Sequence, residues 1–120
     1  MLVVFANNQV LIAPAGGSVT VTTDPVSVSG NNRATGVTNT TGIFSPAAGL
    51  GLRWKMQVSM NGQTWVDQGP SVSVIATAGE TLQPASTVTG VYARLSISFD
   101  ADAGGIGAAT FDIHVNFDRS

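Results

Sequence analysis

The residues best suited to do chemistry stand close together near the end of the chain. His114 is the only histidine, and Asp112 and Asn116 lie two positions before and after it. In an extended strand, side chains two positions apart share a face at a spacing of about 7 Å, so these three would form a row. A transition-metal site needs further nitrogen or sulfur ligands, and the chain has no cysteine and no second histidine. We therefore predict no metal and no cofactor at this row.

Four aspartates surround the same segment: Asp100, Asp102, Asp112 and Asp118. Two stretches with alternating apolar residues, 91–99 and 110–118, are predicted strands, and their pairing would gather the four carboxylates at one end of a hairpin. Calcium prefers oxygen ligands such as carboxylates, so a weak calcium site is one interpretation of the cluster. A solvated acidic rim is the other, and the sequence leaves both open.

Covalent catalysis has little basis in the sequence. No serine stands in a Gly-x-Ser-x-Gly motif, and His114 is the only candidate base. The run Gly104-Gly105-Ile106-Gly107 is glycine-rich like a phosphate-binding loop, but no helical pattern follows it to supply the positive end of a helix dipole. We predict a hairpin loop there, no catalytic residue, and no enzyme activity.

The elements that would position such side chains are strands, and the clearest signal is a hairpin in the middle of the chain. Between residues 52 and 60, apolar and polar residues alternate, which is typical of a half-buried strand. Asn61-Gly62 follows, and this dipeptide favours a tight two-residue turn because both residues tolerate positive φ. An extended pattern resumes over residues 64–66. We expect this hairpin to be the centre of the core.

The hairpin carries both tryptophans of the chain. Trp54 shares the apolar face of Leu52 and Met56, so we predict that it is a core residue. Trp65 follows the turn, and two roles stay open for it: packing on the sheet, or a half-exposed ring that stacks on a sugar. Only the second role would make it a binding residue.

Further short strands are predicted where apolar and β-branched residues alternate between turn signals. They span residues 10–13, 18–22, 26–28, 71–76, 91–99 and 110–118. The stretch 39–51 is predicted as a long loop or an irregular edge strand, and 79–85 as a connection. This all-β pattern predicts one antiparallel β-sandwich domain over residues 1–120, in which 1–17 forms an arm or an edge strand. A jelly roll is favoured over an immunoglobulin-like sandwich, because the Cys…Trp…Cys spacing is absent.

The composition excludes several classes of partner. Only 10% of the residues are charged, and five Lys/Arg against seven Asp/Glu give a net charge of −2. Nucleic-acid binding needs a clustered basic surface, and here the basic residues are scattered along the chain. They are Arg33, Arg53, Lys55, Arg94 and Arg119. No window approaches the roughly 18 consecutive apolar residues of a membrane span, and the apolar residues 1–6 lack the preceding basic residue of a signal peptide. We expect a soluble protein with no nucleic-acid and no membrane partner.

Residues 54–67 resemble a segment of discoidin-like and carbohydrate-binding jelly rolls, in which a strand ending in Ser-x-Asn/Asp-Gly is followed by x-Thr-Trp. The same segment looks like that of small β-sandwich proteins encoded beside phage structural genes, which share an upstream Pro-Val-x-Val-Ser-Gly-x-x-Arg run, here residues 25–33. The second resemblance covers more of the chain, from residue 18 to 68 and the final strands. Secreted discoidin-type modules usually carry a signal peptide and often a disulfide, and this chain departs from them in both.

The second resemblance implies a non-enzymatic virion component, which is a capsid decoration, cementing or head-fibre-like protein of a phage particle made in the host cytoplasm. It would contact capsid protein and form a homo-oligomer, with a trimer favoured by analogy. The candidate interaction residues are apolar or aromatic: Met1, Leu2, Val3, Val4, Phe5, Ile43, Phe44 and Trp65. The first resemblance implies the alternative, a glycan-binding module.

Overall fold

The computed structural model of the protein describes residues 1–68 and 75–119, except for the side chain of Pro84. Within these ranges the chain forms β-strands, as the period-2 patterns predict. The strands are β1 (Leu2–Ala13), β2 (Ser18–Thr22), β3 (Val26–Ser27), β4 (Arg33–Phe44), β5 (Leu52–Ser59), β6 (Val66–Gln68), β7 (Gly79–Thr87), β8 (Tyr92–Asp100) and β9 (Gly107–Asp118). The strand predicted at 71–76 lies outside the described residues apart from its last two, of which Ile75 forms a β-bridge with Leu52. In the described part of the chain, no helix is long and apolar enough to cross a membrane.

The strands form two antiparallel sheets that enclose one core. Sheet A has the strand order β1-β9-β4-β7, and sheet B has the order β2-β8-β5-β6, with β3 pairing onto β8 as well. Each sheet covers the apolar face of the other, as in other β-sandwiches. The antiparallel β-sandwich predicted from the alternating strands is therefore confirmed.

The last two strands lie in different sheets, contrary to the pairing predicted from the sequence. β8 is inside sheet B and β9 is inside sheet A, so the segment 101–106 crosses between the sheets instead of closing a hairpin. The crossing is fixed at both sides, because Asp102 N–H donates to Ser45 O at 2.8 Å and Ala101 N–H donates to Gly17 O at 2.9 Å. The prediction failed because alternation marks a strand and its buried face but does not identify its partner.

The core lies between the sheets and is built largely by inward-facing residues of β5, β8 and β9. Its largest fully buried side chains include Leu52, Leu95, Ile97, Phe99, Phe111, Ile113 and Phe117. Trp54 is only 5% exposed, and its indole Nε1–H donates to Thr38 Oγ1 of β4 at 2.7 Å. The core position predicted for Trp54 is confirmed, and its hydrogen bond ties sheet B to sheet A.

The stretch 39–51, predicted as a long loop or an irregular edge strand, contains both. A loop follows Phe44, and up to Phe44 the stretch belongs to β4. β4 is central between β9 and β7 as far as Thr40; beyond it, among the described residues, β4 pairs with β9 alone after a register shift. Its inward positions are small because bulky residues of sheet B fill the space: a Cβ at Gly36 would lie 3.1 Å from the Trp54 ring. Small inward residues remove the apolar alternation by which a strand is recognised. Residues 79–85, predicted as a connection, likewise belong to an edge strand, β7.

The apolar start of the chain belongs to β1, the other edge strand of sheet A. The α-amino group of Met1 donates to Phe117 O at 2.6 Å, and the Phe5 ring packs edge-on against Phe117 with 6.2 Å between centroids. The register between β1 and β9 shifts between Val4 and Gln9, and Asn8 there has a φ of 51°. Such a bulge interrupts the free edge and so hinders pairing with another chain.

Candidate functional site

Polar side chains of neighbouring strands stand close together on the outer face of sheet B. In β5, Trp54 and Met56 point into the core, so Arg53, Lys55 and Gln57 point outward. The outward residues of β8 stand directly opposite them in the register. The opposed pairs are Arg53 with Ser98, Lys55 with Ser96, and Gln57 with Arg94.

These residues enclose a groove of about 160 Å³ on the outer face, which we call the polar groove; it is lined by Arg53, Lys55, Ser96, Ser98 and the chain at Trp54. The two serines are short and leave the groove open, while the two longer cationic side chains rise beside them. On the other side of the serines, β2 places Thr20 opposite Ser98 and Thr22 opposite Ser96. The result is a row of hydroxyl groups beside a row of cations.

Arg53 is fixed at one end of the polar groove. Its Nη1 donates to Asp100 Oδ2 at 2.6 Å and to the carbonyl of Leu50 at 2.5 Å. The Asp100 and Arg53 side chains are 13% and 30% exposed, so this ion pair is partly shielded from water. The Thr20 and Ser98 hydroxyls share a further hydrogen bond of 3.0 Å. Neither the cation nor the hydroxyls at this end are therefore free to rotate independently.

A chain of polar contacts fixes the other end. Lys55 Nζ donates to Asp67 Oδ2 at 3.0 Å, and Gln57 Nε2 donates to Asp67 Oδ1 at 3.1 Å. Arg94 Nε then donates to Gln57 Oε1 at 2.9 Å, and the Arg94 guanidinium carbon lies 4.3 Å from the centroid of the Trp65 ring. Stacking of this kind is a cation–π contact. Five side chains from three strands and one loop thus orient one another.

The Asp67 carboxylate is stabilised in its charged form by this chain. Its hydrogen bond from Gln57 is the largest cause, and the hydrogen bond from Lys55 comes next; together they hold the pKa of Asp67 below its ordinary value. Asp67 therefore stays ionised at neutral pH and continues to hold both partners.

Trp65 lies in a loop that is longer than the sequence predicts. Instead of a two-residue turn at Asn61-Gly62, the loop runs from Met60 to Trp65 before β6 begins. Asn61 Oδ1 accepts from the N–H groups of Gln63 and Thr64, both at 2.9 Å. This side-chain acceptor replaces the cross-strand contacts of a tight turn. Trp65 itself is half-buried and supports Arg94.

The four aspartates do not gather, because β8 and β9 lie in different sheets. Each has its own contact: Asp100 with Arg53, Asp102 with the N–H of Gly104, Asp112 with the N–H of Asn8, and Asp118 with Arg33. Between residues 1–68 and 75–119, no group of three His, Cys, Asp or Glu side chains could hold a metal ion. The calcium interpretation of this cluster is therefore wrong for the described residues.

The row of Asp112, His114 and Asn116 does exist, on the outer face of sheet A. All three alternate with the buried residues of β9, and His114 and Asn116 are exposed. In the register, His114 lies between Val4 of β1 and Val37 of β4. Asp112 and Asn116 instead lie opposite Asn39 and Thr35 of β4. Among the described residues, no further His, Cys, Asp or Glu joins Asp112 and His114 to complete a group that could hold a metal ion.

Apart from Trp65, which stacks on Arg94 beside sheet B, the predicted interaction residues divide between the core and the outer face of sheet A. Val3, Phe5 and Ile43 are partly buried and pack against the core. The exposed ones are Met1, Leu2, Val4 and Phe44.

The residues of the polar groove were missed, because the sequence shows which face of a strand is polar but not which strand lies beside it. The alternating serines and arginine of β8 were the available signal.

No protein-family model and no curated protein sequence matches this chain. Its structure is similar to that of TmCBM61 in complex with β-1,4-galactotriose, with a TM-score of 0.50 and 13% identity over 91% of this chain and 69% of that one. Weaker similarities are to the Yersinia pseudotuberculosis-derived mitogen, with a TM-score of 0.48, 8% identity and 100% and 90% of the two chains covered. Another is to CpGH89CBM32-5 from Clostridium perfringens in complex with GalNAc-β-1,3-galactose, with a TM-score of 0.43 and 13% identity over 88% of this chain and 75% of that one. At these identities the similarity establishes the β-sandwich fold of the jelly-roll type.

Proposed function

We propose that the chain is a non-enzymatic glycan-binding module and that it binds through the polar groove on sheet B. The observation that carries this proposal is the groove itself, in which hydroxyl groups of Ser96 and Ser98 lie beside the cationic donors of Arg53 and Lys55. A sugar offers hydroxyl groups that both donate and accept hydrogen bonds, so it needs an array of fixed polar partners. The alternative predicted from the sequence, a carbohydrate-binding jelly roll, thus becomes the proposed function.

The fixed orientation of the polar side chains supports the proposal. Arg53 is held by Asp100, and Lys55 is held by Asp67, before any ligand arrives. Side chains that are already fixed lose less conformational entropy on binding, so more of the contact energy remains as affinity. A set of freely rotating surface side chains would offer the same chemistry without this advantage.

The size of the groove indicates how much of a glycan it takes. Its volume of about 160 Å³ is below the roughly 300–1,000 Å³ that is typical of pockets for drug-sized ligands. We infer that one sugar ring enters the groove and that neighbouring rings extend over the sheet. The structural similarity to TmCBM61, which was solved with a galactotriose, adds support from the fold.

The virion role predicted from the sequence has less support. The solved structures described above favour the glycan-binding alternative over a capsid decoration protein. A phage origin, a capsid partner and a trimer have no observation behind them and stay predictions from the sequence. The large apolar side chains exposed on the outer face of sheet A bear on self-association.

The proposal is tested by calorimetric titration of the chain with neutral and charged oligosaccharides, including β-1,4-galactotriose. Replacement of Ser96 by Val removes a hydroxyl from the groove and fills its floor, while valine remains well suited to a strand. We expect affinity to fall at least about tenfold, since a lost hydrogen bond and a steric block both act. The matched control is Thr35→Val, which removes an exposed hydroxyl on the outer face of sheet A.

Two results would overturn the proposal. If the wild-type chain bound none of the oligosaccharides at millimolar concentration, it would not be a glycan-binding module. If Ser96→Val bound as tightly as the wild type, the binding site would lie elsewhere. Melting curves of both variants show whether any loss of binding comes from unfolding.

A further inference from the structure

Charge is distributed unevenly between the outer face of sheet B and the rest of the molecule. Of the five Lys and Arg residues, three lie on this face, namely Arg53, Lys55 and Arg94, together with two of the seven acidic residues, Asp67 and Asp100. The remainder of the chain has two basic and five acidic residues. An anionic ligand is therefore attracted to this face and repelled from the others.

Arg94 differs from the other two cations of the face. Arg53 is paired with Asp100, and Lys55 is paired with Asp67. In the described part of the chain, Arg94 forms no ion pair. Its Nε donates to Gln57, and its planar guanidinium group stacks on the Trp65 ring. The two Nη groups of the guanidinium have no acceptor among the described residues. With respect to residues 1–68 and 75–119, Arg94 is thus a cation with unused donors.

The Arg94 guanidinium is also held in place. Gln57 fixes its Nε, Asp67 fixes Gln57, and Trp65 supports one face of the guanidinium plane. A planar guanidinium can donate two parallel hydrogen bonds to a carboxylate or a sulfate, a geometry that a lysine cannot offer. Because the plane is already oriented, binding an anion requires little further ordering.

The position of Arg94 relates it to the polar groove. Arg94 and Ser96 are two positions apart on the same face of β8, a spacing of about 7 Å. Arg94 lies beside the residues that line the groove, so a sugar ring seated at Ser96 would meet the fixed guanidinium through a charged substituent that extends along β8.

From the unpaired, preoriented Arg94 beside the groove, we infer that the glycan bound here is acidic and that Arg94 binds its carboxylate or sulfate group. This inference rests on the proposed function, because it names the class of ligand for the same face. It also distinguishes the roles of the three cations. Arg53 and Lys55 shape the groove while paired with carboxylates, and Arg94 recognises the charge of the ligand.

The test uses three trisaccharides that differ only in the group at C6: β-1,4-galactotriose, the same sugar oxidised to carboxylates at C6, and the same sugar sulfated at C6. We expect the full chain to bind a charged form about tenfold to a hundredfold more tightly than the neutral form, as for a charge-assisted contact. Comparing the two charged forms identifies the carboxylate or the sulfate as the preferred group. Raising the salt concentration should weaken this preference, since the contact is partly exposed to solvent.

Replacement of Arg94 by Gln should abolish the preference for the charged form, so that the ratio of charged to neutral affinity falls to about one. The neutral affinity is measured beside it, because Arg94 also helps to hold Gln57 at the end of the groove. Arg94→Lys keeps the charge but not the planar donor pair, so it should restore only part of the preference. The matched control is Arg33→Gln, which removes the same charge from the outer face of sheet A. Melting curves establish that each variant is folded.

The outcomes separate the two proposals. Equal binding of neutral and charged trisaccharides would overturn the inference about charge but keep the glycan-binding function. An unchanged preference in Arg94→Gln would overturn the role of Arg94. Absence of binding to all three would count against the proposed function as well.

Discussion

The two outer faces of the sandwich differ in how their exposed side chains are held. On sheet B, Arg53, Lys55 and Arg94 are linked by hydrogen bonds to neighbours on adjacent strands. On sheet A, large apolar side chains are exposed, and the register places them at the edges and at one end: Leu2, Val4, Val10, Ile12, Phe44 and Leu82. Both faces arise from the same alternation of inward and outward residues. Polar neighbours bond to one another on sheet A too, as Arg33 does with Asp118. What differs is that sheet A also exposes several large apolar side chains.

This difference separates two kinds of contact. Fixed polar side chains suit a hydroxyl-rich ligand, which exchanges hydrogen bonds with them. Exposed apolar side chains such as Phe44, which is 68% exposed, offer no such contacts and gain only when another apolar surface covers them. The first surface is where we place the glycan, and the second is where self-association would occur.

The largest expected effect is on the residue that joins the two sheets. Trp54 lies in the strand beneath the polar groove, and its hydrogen bond to Thr38 crosses to sheet A. Replacing it by Ala leaves a cavity and an unpaired buried hydroxyl, so we expect the free energy of unfolding to fall by about 3–5 kcal/mol. Urea unfolding followed by fluorescence or circular dichroism measures this loss.

The control is the other tryptophan. Trp65 is half-buried and stacks on Arg94 at the surface, so Trp65→Ala should cost less than about 1 kcal/mol of stability. It should nevertheless weaken the preference for a charged glycan, because Arg94 loses its support. A Trp54→Ala loss below about 1 kcal/mol would show that the sheets are not joined through this residue.

The second prediction concerns the apolar face of sheet A. Ile12 and Phe44 both lie opposite Ala108 in the register, so two exposed large side chains flank a small one. From the sequence we predict a homo-oligomer, and these residues are where apolar contact would remove most surface from water. We expect the wild-type chain to have a mass that is a multiple of 12.2 kDa in light scattering, and the Ile12→Lys/Phe44→Lys variant to be a monomer.

The matched control places the same two charges on the opposite face, as Thr20→Lys/Thr22→Lys in β2. That variant should keep the mass of the wild type, since sheet B is not expected to take part in association. A wild-type chain that is monomeric at micromolar concentration would refute self-association. Loss of the oligomer in both variants would show that net charge, and not the apolar face, controls it.

How far the sequence predicts this structure depends on the size of the inward residues. β5 was predictable because Leu52, Trp54 and Met56 alternate with polar residues. β4 was not, because Gly36 and its inward neighbours must be small to make room for Trp54. When bulky side chains of the opposite sheet fill the space beneath a strand, the inward residues of that strand are small. Its sequence then lacks the apolar alternation by which a strand is recognised.

The candidate site was less predictable than the fold. The polar alternation of β5 placed Arg53 and Lys55 on one face, and that part of the site follows from the sequence. Their position beside Ser96 and Ser98 depends on the pairing of β5 with β8, which are far apart in the chain. Register between distant strands is set by packing of the whole core, and no short-range pattern encodes it.

The smallest expected effect compares one carboxylate from each face. Asp67 on sheet B has a lowered pKa, first because of the hydrogen bond from Gln57 and then because of that from Lys55; on sheet A, the hydrogen bond from Arg33 lowers the pKa of Asp118. A carboxyl whose pKa is lower in the folded than in the unfolded chain stabilises the fold above its unfolded pKa, about 3.9 for aspartate. This contribution is lost as the pH falls through the folded value.

We therefore expect Asp67→Asn and Asp118→Asn each to lower the urea midpoint slightly at pH 7, with the difference from the wild type closing below about pH 4. Exposed ion pairs contribute little to stability, so the two faces should give shifts of similar, small size. A difference that persisted undiminished in acid would mean that Asn disturbs packing, not charge. Similar shifts in both variants would sharpen the comparison between the faces. Asp67 would then differ from Asp118 only because it holds Gln57, which in turn holds Arg94. For that reason Asp67→Asn should weaken glycan binding, and Asp118→Asn should not.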